Sequence, residues 1–434
     1  MCPFDAIPFP GYSGPALSGC HVGSRLPRFE MMDSKLNTPR TTSSTPAVKP
    51  AHPGMLAFAL ALGAFTIGTA EFAAMPLLPL VSKAFNISAP YAGHMISAYA
   101  LGVVVGAPLI MLTTVNMRRR SLLIGLSLFV AITNIASALV PDFHWLLLTR
   151  FLSGLPHGAF MGSAAVLASS TAPPGKRASA VARVFLGLTI ATIIGVPAAT
   201  GLSQMLGWQA RMLIVAGLGL ATAICIARYA PRTPVPPGGG PLKEIKSLAN
   251  RAVWLTLGVC MIGFGGLFCI YTYLADTLLR VTHTSAHWIP LIMMVFGVGT
   301  TVGNLAGGAL ADRSPARAAA GMLIFSTVVL LIYPSTTGHL ALLTPTVFLV
   351  GAGIGLSAVL QTWLTQMAPQ GQAAVSALLQ CAFNLANAIG PWVGGLAIAA
   401  GYGFASTGYV AAALSFGGLL LWVLAYRADA PQET

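Results

Sequence analysis

Residues 56–81 read LAFALALGAFTIGTAEFAAMPLLPLV, and Glu71 is the one ionisable side chain among them. An α-helix crosses the ~30 Å hydrocarbon core of a bilayer with about 20 residues, so this stretch is long enough and apolar enough to do so. A soluble helix of that length carries a polar face, and none is present here. Eleven further apolar segments come after it, near residues 89–112, 121–140, 144–171, 178–203, 210–229, 252–276, 287–311, 318–335, 340–366, 372–400 and 405–426. Lipid offers no partner for free backbone N–H and C=O groups, so such segments cross as helices. The expected fold is an all-α polytopic membrane protein with twelve transmembrane helices.

Composition points the same way. Of 434 residues, 56% are hydrophobic and 8% charged, against roughly 25% charged in a soluble protein. The formal net charge of +13 raises nucleic acid as a partner, but Lys and Arg sit in short clusters between the apolar segments, as orientation signals do. No nucleic-acid partner is expected. Cys2, Cys20, Cys225, Cys260, Cys269 and Cys381 form no CxxC pair, so a disulfide framework is not expected.

Residues 1–52 are rich in Pro, Ser, Thr and Gly without a sustained apolar run and read as a disordered arm. The arm lacks the apolar core of a secretory signal, and Met31 or Met32 is an alternative start. Residues 53–229 then hold six spans. A linker at 230–251 contains PRTPVPPGGGP, residues 252–427 hold six more spans, and 428–434 form a tail. With both termini in the cytoplasm, nineteen Lys and Arg residues fall inside and three outside, namely Lys83, Arg211 and Arg280. That asymmetry obeys the positive-inside rule.

The halves echo each other. Arg119 and Arg313 are 194 residues apart, as are Pro197 and Pro391; LLT at 147–149 recurs at 342–344 and FLSG at 151–154 as FLVG at 348–351. These matches indicate a duplicated six-helix unit, giving two pseudo-symmetric six-helix bundles with a substrate site between them near the midplane.

Ionisable groups within spans are costly and mark function by default. Glu71 and Arg150 stand out. A carboxyl in apolar surroundings favours its neutral form, and a neighbouring cation favours the charged one, so Glu71 is suited to taking up and releasing a proton. A structural ion pair, or an Arg150 that snorkels to the interface, accounts for the same residues. His157 lies seven residues after Arg150 on the same helical face and is a candidate relay or an ordinary interior histidine; His94 is a weaker candidate. Tyr271 and Tyr273 read as interface anchors, with Asp276 beside them in solvent. Gln380, Asn384 and Asn387 share a face of span eleven, and Gln361 with Gln366 lies in span ten. These amides either line a cavity for a polar solute or join helices. Gly187, Gly195, Pro197 and Gly201 in span five, with Gly390, Pro391, Gly394 and Gly395 in span eleven, suit closely packed, kinked helices that rock.

The strings GTAEF (68–72), AGHMISAYALGVVVGAP (92–108), RFLSGLPHGAFMG (150–162) and GNLAGGALADR (303–313) resemble the major facilitator superfamily. More narrowly they are similar to its twelve-span drug:proton antiporter branch and the arabinose-efflux-like (AraJ) subgroup. The resemblance covers residues 55–427 and implies the major facilitator fold. It also implies a proton-transfer role for Arg150 with Gly154, and an export-associated motif at Gly195, Pro197 and Gly201, in which Val196 separates the usual Gly-Pro pair. Asp312 and Arg313 keep the loop motif of the second half, while Arg118–Arg120 in the first half lack its acid. The resemblance thus implies a proton-coupled antiporter of the bacterial inner membrane exporting sugars or drugs, monomeric, with no cofactor or metal. A proton on Glu71, modulated by Arg150, is expected to favour the inward-open state. A proton-coupled importer and a non-transporting sensor share the architecture. No HExxH, GxSxG or phosphate-loop motif is present, so neither an enzyme nor an ATP-driven pump is expected.

Overall fold

The computed structural model describes residues 52–114, 117–173, 176–232, 250–368 and 372–429. The expected arm, most of the linker and the end of the tail lie outside them. The described residues contain twelve helices long and apolar enough to cross a membrane: Pro53–Phe72, Ala89–Ile110, Arg119–Ala138, Phe143–Thr171, Ser179–Leu206, Gln209–Tyr229, Arg251–Arg280, Trp288–Arg313, Pro315–Thr336, Leu340–Met367, Val375–Tyr402 and Phe404–Ala428. They fall within a few residues of the expected segments.

One span is shorter than its hydropathy suggests. The first helix stops at Phe72, a 3₁₀ turn runs through Met75–Leu77, and a second helix covers Leu78–Phe85. Pro76 has no N–H to give to the carbonyl four residues back, so the ladder breaks here and carbonyls of the last turn are left over. Span four is likewise jointed at Leu155, before Pro156. Span five passes through a π-helical turn at Ala191–Gly195 just ahead of Pro197. Of the three, only the turn in span five lies within the Gly and Pro pattern read from the sequence; the breaks in spans one and four were not expected.

Six spans pack as one bundle and six as another, by the same rule. Span one lies against span five, two against four, and three against six; seven against eleven, eight against ten, and nine against twelve repeat the pattern. Glycines fix the register. Gly102 and Gly106 of span two lie against the Phe151 and Leu155 carbonyls, and Gly154 of span four lies against Tyr99 O. Gly299, Gly303 and Gly351, each 197 residues later, lie against Phe348, Ala352 and Phe296 O. Gly187 against Ala61 O is matched by Gly390 against Gly265 O, steps of 203 and 204. The duplication therefore holds but not at one offset. Pro197 and Pro391 are not equivalents, and Arg119 opens span three whereas Arg313 closes span eight. Of the sequence echoes, FLSG with FLVG carries the structural register.

The ends of the molecule differ. Span two meets span eleven and span five meets span eight, through Ser97 Oγ to Ala388 O (2.9 Å) and Gln204 Nε2 to Ala286 O (2.8 Å). Gly395 against Pro90 and Gly297 against Thr192 bring the backbones close. A continuous apolar core joins the halves at this end, through Phe72–Met75, Ala92, Met95, Ile96 and Met212. Toward the end that carries Arg118–Arg120, Arg177 and Arg317 the amino-terminal bundle keeps a core of its own, built on Leu60, Leu123, Phe160 and Leu167. Among the described residues the halves thus share one apolar core at the end poor in basic loops and have separate cores at the basic end.

Three expectations are corrected by the packing. Tyr271, Tyr273 and Asp276 are buried rather than at the interface or in solvent. Tyr271 stacks on Phe296 at 4.1 Å, Tyr273 donates to Pro391 O at 2.8 Å, and Asp276 pairs with Arg280 at 3.1 Å. Arg211, counted among the outside charges, is fully buried. A guanidinium reaches back into the bundle from the third residue of its helix, so a position near a helix end says little about where the charge rests.

Candidate functional site

The break in the first span builds the site. Glu71 is the penultimate residue of the helix Pro53–Phe72 and is 3% exposed. Its Oε1 accepts a hydrogen bond from Asn387 Nδ2 of span eleven at 2.9 Å, and its Oε2 lies 3.8 Å from His157 Nδ1 of span four. His157 Nδ1 is also 3.2 Å from the Tyr99 hydroxyl of span two. One carboxyl is therefore contacted from both halves.

Two cations meet at Ala70 O, the carbonyl of the residue before Glu71. Arg150 donates from Nη2 to Ala70 O at 3.2 Å and lies over the Tyr99 ring, its Cζ 4.3 Å from the centroid. Arg211 donates from Nη2 to the same oxygen and from Nη1 to Met212 Sδ at 2.8 Å. Ala70 O is one of the carbonyls released by the break, at the negative pole of the helix, where cations are favoured. Both arginines are fully buried, and neither has a carboxylate within 4.0 Å among the described residues. Arg150 Nε and Nη1 and Arg211 Nε have no hydrogen-bond partner there.

The expected residues separate into those that meet and those that do not. Glu71, Arg150, His157 and Asn387 converge. Asn384 is buried but donates to Gln380 O, one turn back, at 2.9 Å. Gln361 Nε2 donates to Ser376 Oγ at 2.7 Å, away from the carboxyl. His94 is exposed and bonds Tyr91 O at 2.9 Å. Gly154 and Gly195 sit at close helix contacts, against Tyr99 O and the Thr69 hydroxyl. Gly201 has only the Pro290 ring nearby at 3.8 Å. Asp312 and Arg313 are exposed at the basic end. Sequence reasoning missed Arg211 and Tyr99. Tyr99 lies within the string AGHMISAYALGVVVGAP, and its polar ring among aliphatic neighbours was the available signal.

Two small internal voids, each with roughly 10 Å³ of room, about one water, lie inside the bundles rather than between them. One is lined by Phe264, Leu267 and Leu330, the other by Thr66, Phe160 and Thr222.

The chain has relatives among known proteins. The sequence profile described as the Major Facilitator Superfamily matches residues 60–375 and 260–434. The chain is 38% identical to the inner membrane transport protein YdhP of Escherichia coli K12, over 85% of this chain and 95% of that protein. It is 35% identical to the putative transporter AraJ of the same organism, over 82% and 91%. It is 29% identical to a probable sugar efflux transporter of Helicobacter acinonychis, over 79% and 88%. Among solved structures, a bacterial homologue of the human lysosomal transporter Spinster, inward-facing and unoccupied, superposes with a TM-score of 0.71. It is 17% identical and covers 87% of this chain and 98% of its own, a likeness of fold.

Proposed function

The chain belongs to the major facilitator superfamily, and on that premise we propose that it exports a small organic solute across the inner membrane in exchange for protons. The observation that carries this reading is Glu71, a buried carboxyl that touches both halves. A buried group that changes charge, placed where two rigid bodies meet, links its own protonation to their relative position. The clustering of Lys and Arg assigns the basic end to the cytoplasm, so the halves are closed on the outside and parted on the inside. Solute enters from the cytoplasm between them, past Asn384 and Gln380. Glu71 takes its proton when the outside opens and gives it to cytoplasmic water when the inside opens. Arg150, with Gly154 fitting span four to span two, holds the field at that carboxyl; His157, within hydrogen-bond distance of the Tyr99 hydroxyl, stands 3.8 Å from its other oxygen. Residues 53–229 and 252–427 act as the two rocking bodies.

The name of one relative, a probable sugar efflux transporter, supports sugars as the solute class; drugs are the further class that the sequence resemblance implies. A growth-inhibition panel of sugars and drugs on cells overexpressing the chain identifies the solute. Proteoliposomes with an internal pH dye then test the coupling. Solute-driven proton movement is expected in the wild type and absent in Glu71→Gln; undiminished movement in that variant overturns the assignment.

A further inference from the structure

We propose that Asn387 is a latch which holds the empty, deprotonated carrier in the outside-closed state and so prevents protons from leaking without solute. This inference rests on Glu71 as the coupling carboxyl. An antiporter must turn when it carries a proton and when it carries solute, and must not turn empty. Otherwise each empty return lets another proton through. Some contact must therefore favour one conformation in the empty, deprotonated state alone.

The contact between Asn387 Nδ2 and Glu71 Oε1, 2.9 Å long and fully buried, has the required properties. It joins span one to span eleven, hence the two halves, and it exists while the outside is closed. An N–H donor bonds a carboxylate about twice as strongly as a neutral acceptor. The bond therefore strengthens when the proton leaves. Next to it Ser97 Oγ donates to Ala388 O at 2.9 Å, a bond that no proton alters, so span eleven is held at two adjacent residues of which one responds to charge. This reverses the bias expected from sequence: the ionised carboxylate, not the acid, favours the outside-closed form.

The other groups around Glu71 do not supply this link. Arg150, Arg211, His157 and Tyr99 all belong to the amino-terminal half and move with Glu71. From the carboxy-terminal half, Tyr271 packs edge-on against the Phe72 ring at 6.3 Å, and its hydroxyl bonds none of the described residues. Asn387 Oδ1 is also buried without a described partner. Solute that donates a hydrogen bond to Glu71 Oε1, or accepts one from Asn387 Nδ2, takes the place of one latch partner and lets the loaded carrier turn.

The test needs no solute. Full-length chain in proteoliposomes, with an internal pH dye and the membrane potential clamped by potassium and valinomycin, receives an acid pulse outside. The wild type stays tight. Asn387→Ala and Asn387→Leu are expected to leak protons at least ~10-fold faster, the equivalent of one charge-assisted hydrogen bond. Asn387→Gln, which keeps the donor, leaks less than either. Adding Glu71→Gln to Asn387→Ala abolishes the leak, which shows that the protons use this route in a folded protein. Wild-type tightness in both Asn387→Ala and Asn387→Leu overturns the latch. So does a leak that survives Glu71→Gln. Neither result bears on the solute-driven assay, whose own failure in Glu71→Gln is read separately.

Discussion

The two bundles share one backbone design and carry opposite chemistry. At the common register of 197 residues, Tyr99, Arg150, Gly154 and His157 of the amino-terminal half correspond to Phe296, Val347, Gly351 and Ile354 of the carboxy-terminal half. The glycines recur because the helix contacts recur; the polar residues do not. Around Glu71 the amino-terminal half holds the charges, and the other meets it with the aromatic surface of Tyr271 and the amide of Asn387. Backbone geometry was duplicated and the buried carboxyl was not; under the proposed function one switch in one copy suffices to bias a two-body rocker.

The largest effect is expected from moving chemistry across the register. Arg150→Val gives the amino-terminal half its partner's residue and should abolish solute-driven proton movement. Val347→Arg buries a guanidinium with no carbonyl freed for it and should cost about 3–5 kcal/mol, read as loss of monodisperse protein after detergent extraction. If Val347→Arg is tolerated and Arg150→Val remains coupled, the division of labour between the halves is wrong.

Arg211 sharpens the comparison within the charged half. Arg211→Gln removes one of two cations at Ala70 O and should shift the pH midpoint of transport, because it changes the charge at the helix end that carries Glu71. Arg211→Lys should restore most of it. A midpoint unchanged in Arg211→Gln would mean that this cation only seals the helix end.

The same contrast between shared backbone and unshared chemistry governs what was legible in the sequence. Hydropathy located all twelve spans, because a bilayer demands long apolar helices and the loops are short. Glu71, Arg150 and His157 were visible as polar residues in apolar runs. Three things were not. The break after Phe72 was hidden because Pro76 is as apolar as its neighbours. Arg211 was hidden because it stands at a helix start, where a charge reads as solvated. The true register was obscured by chance matches at 194 residues, and the glycine contacts were needed to single out the echo of FLSG in FLVG at 197.

Smaller effects should be alike in the two halves. Gly154→Ala and Gly351→Ala each force a methyl against a carbonyl of the neighbouring span and should destabilise by about 1–3 kcal/mol, measured as matched drops in thermal unfolding temperature. Unequal drops would mean that the shared register does not carry equal packing. The smallest expected change is Ser97→Ala, which removes one side chain-to-backbone bond worth about 1 kcal/mol and should leave the pH dependence of transport intact.

The central claim is that the charge on Glu71 selects the position of one half against the other. Nitroxides on Met117→Cys and Arg317→Cys, both at the basic end, report that position by pulsed electron resonance in a chain with its native cysteines replaced. Without solute, raising the pH should shift the wild-type distances toward the long, inside-open population, and Glu71→Gln should show no shift at all. A pH-dependent shift of wild-type size in Glu71→Gln, or none in the wild type, would contradict the account.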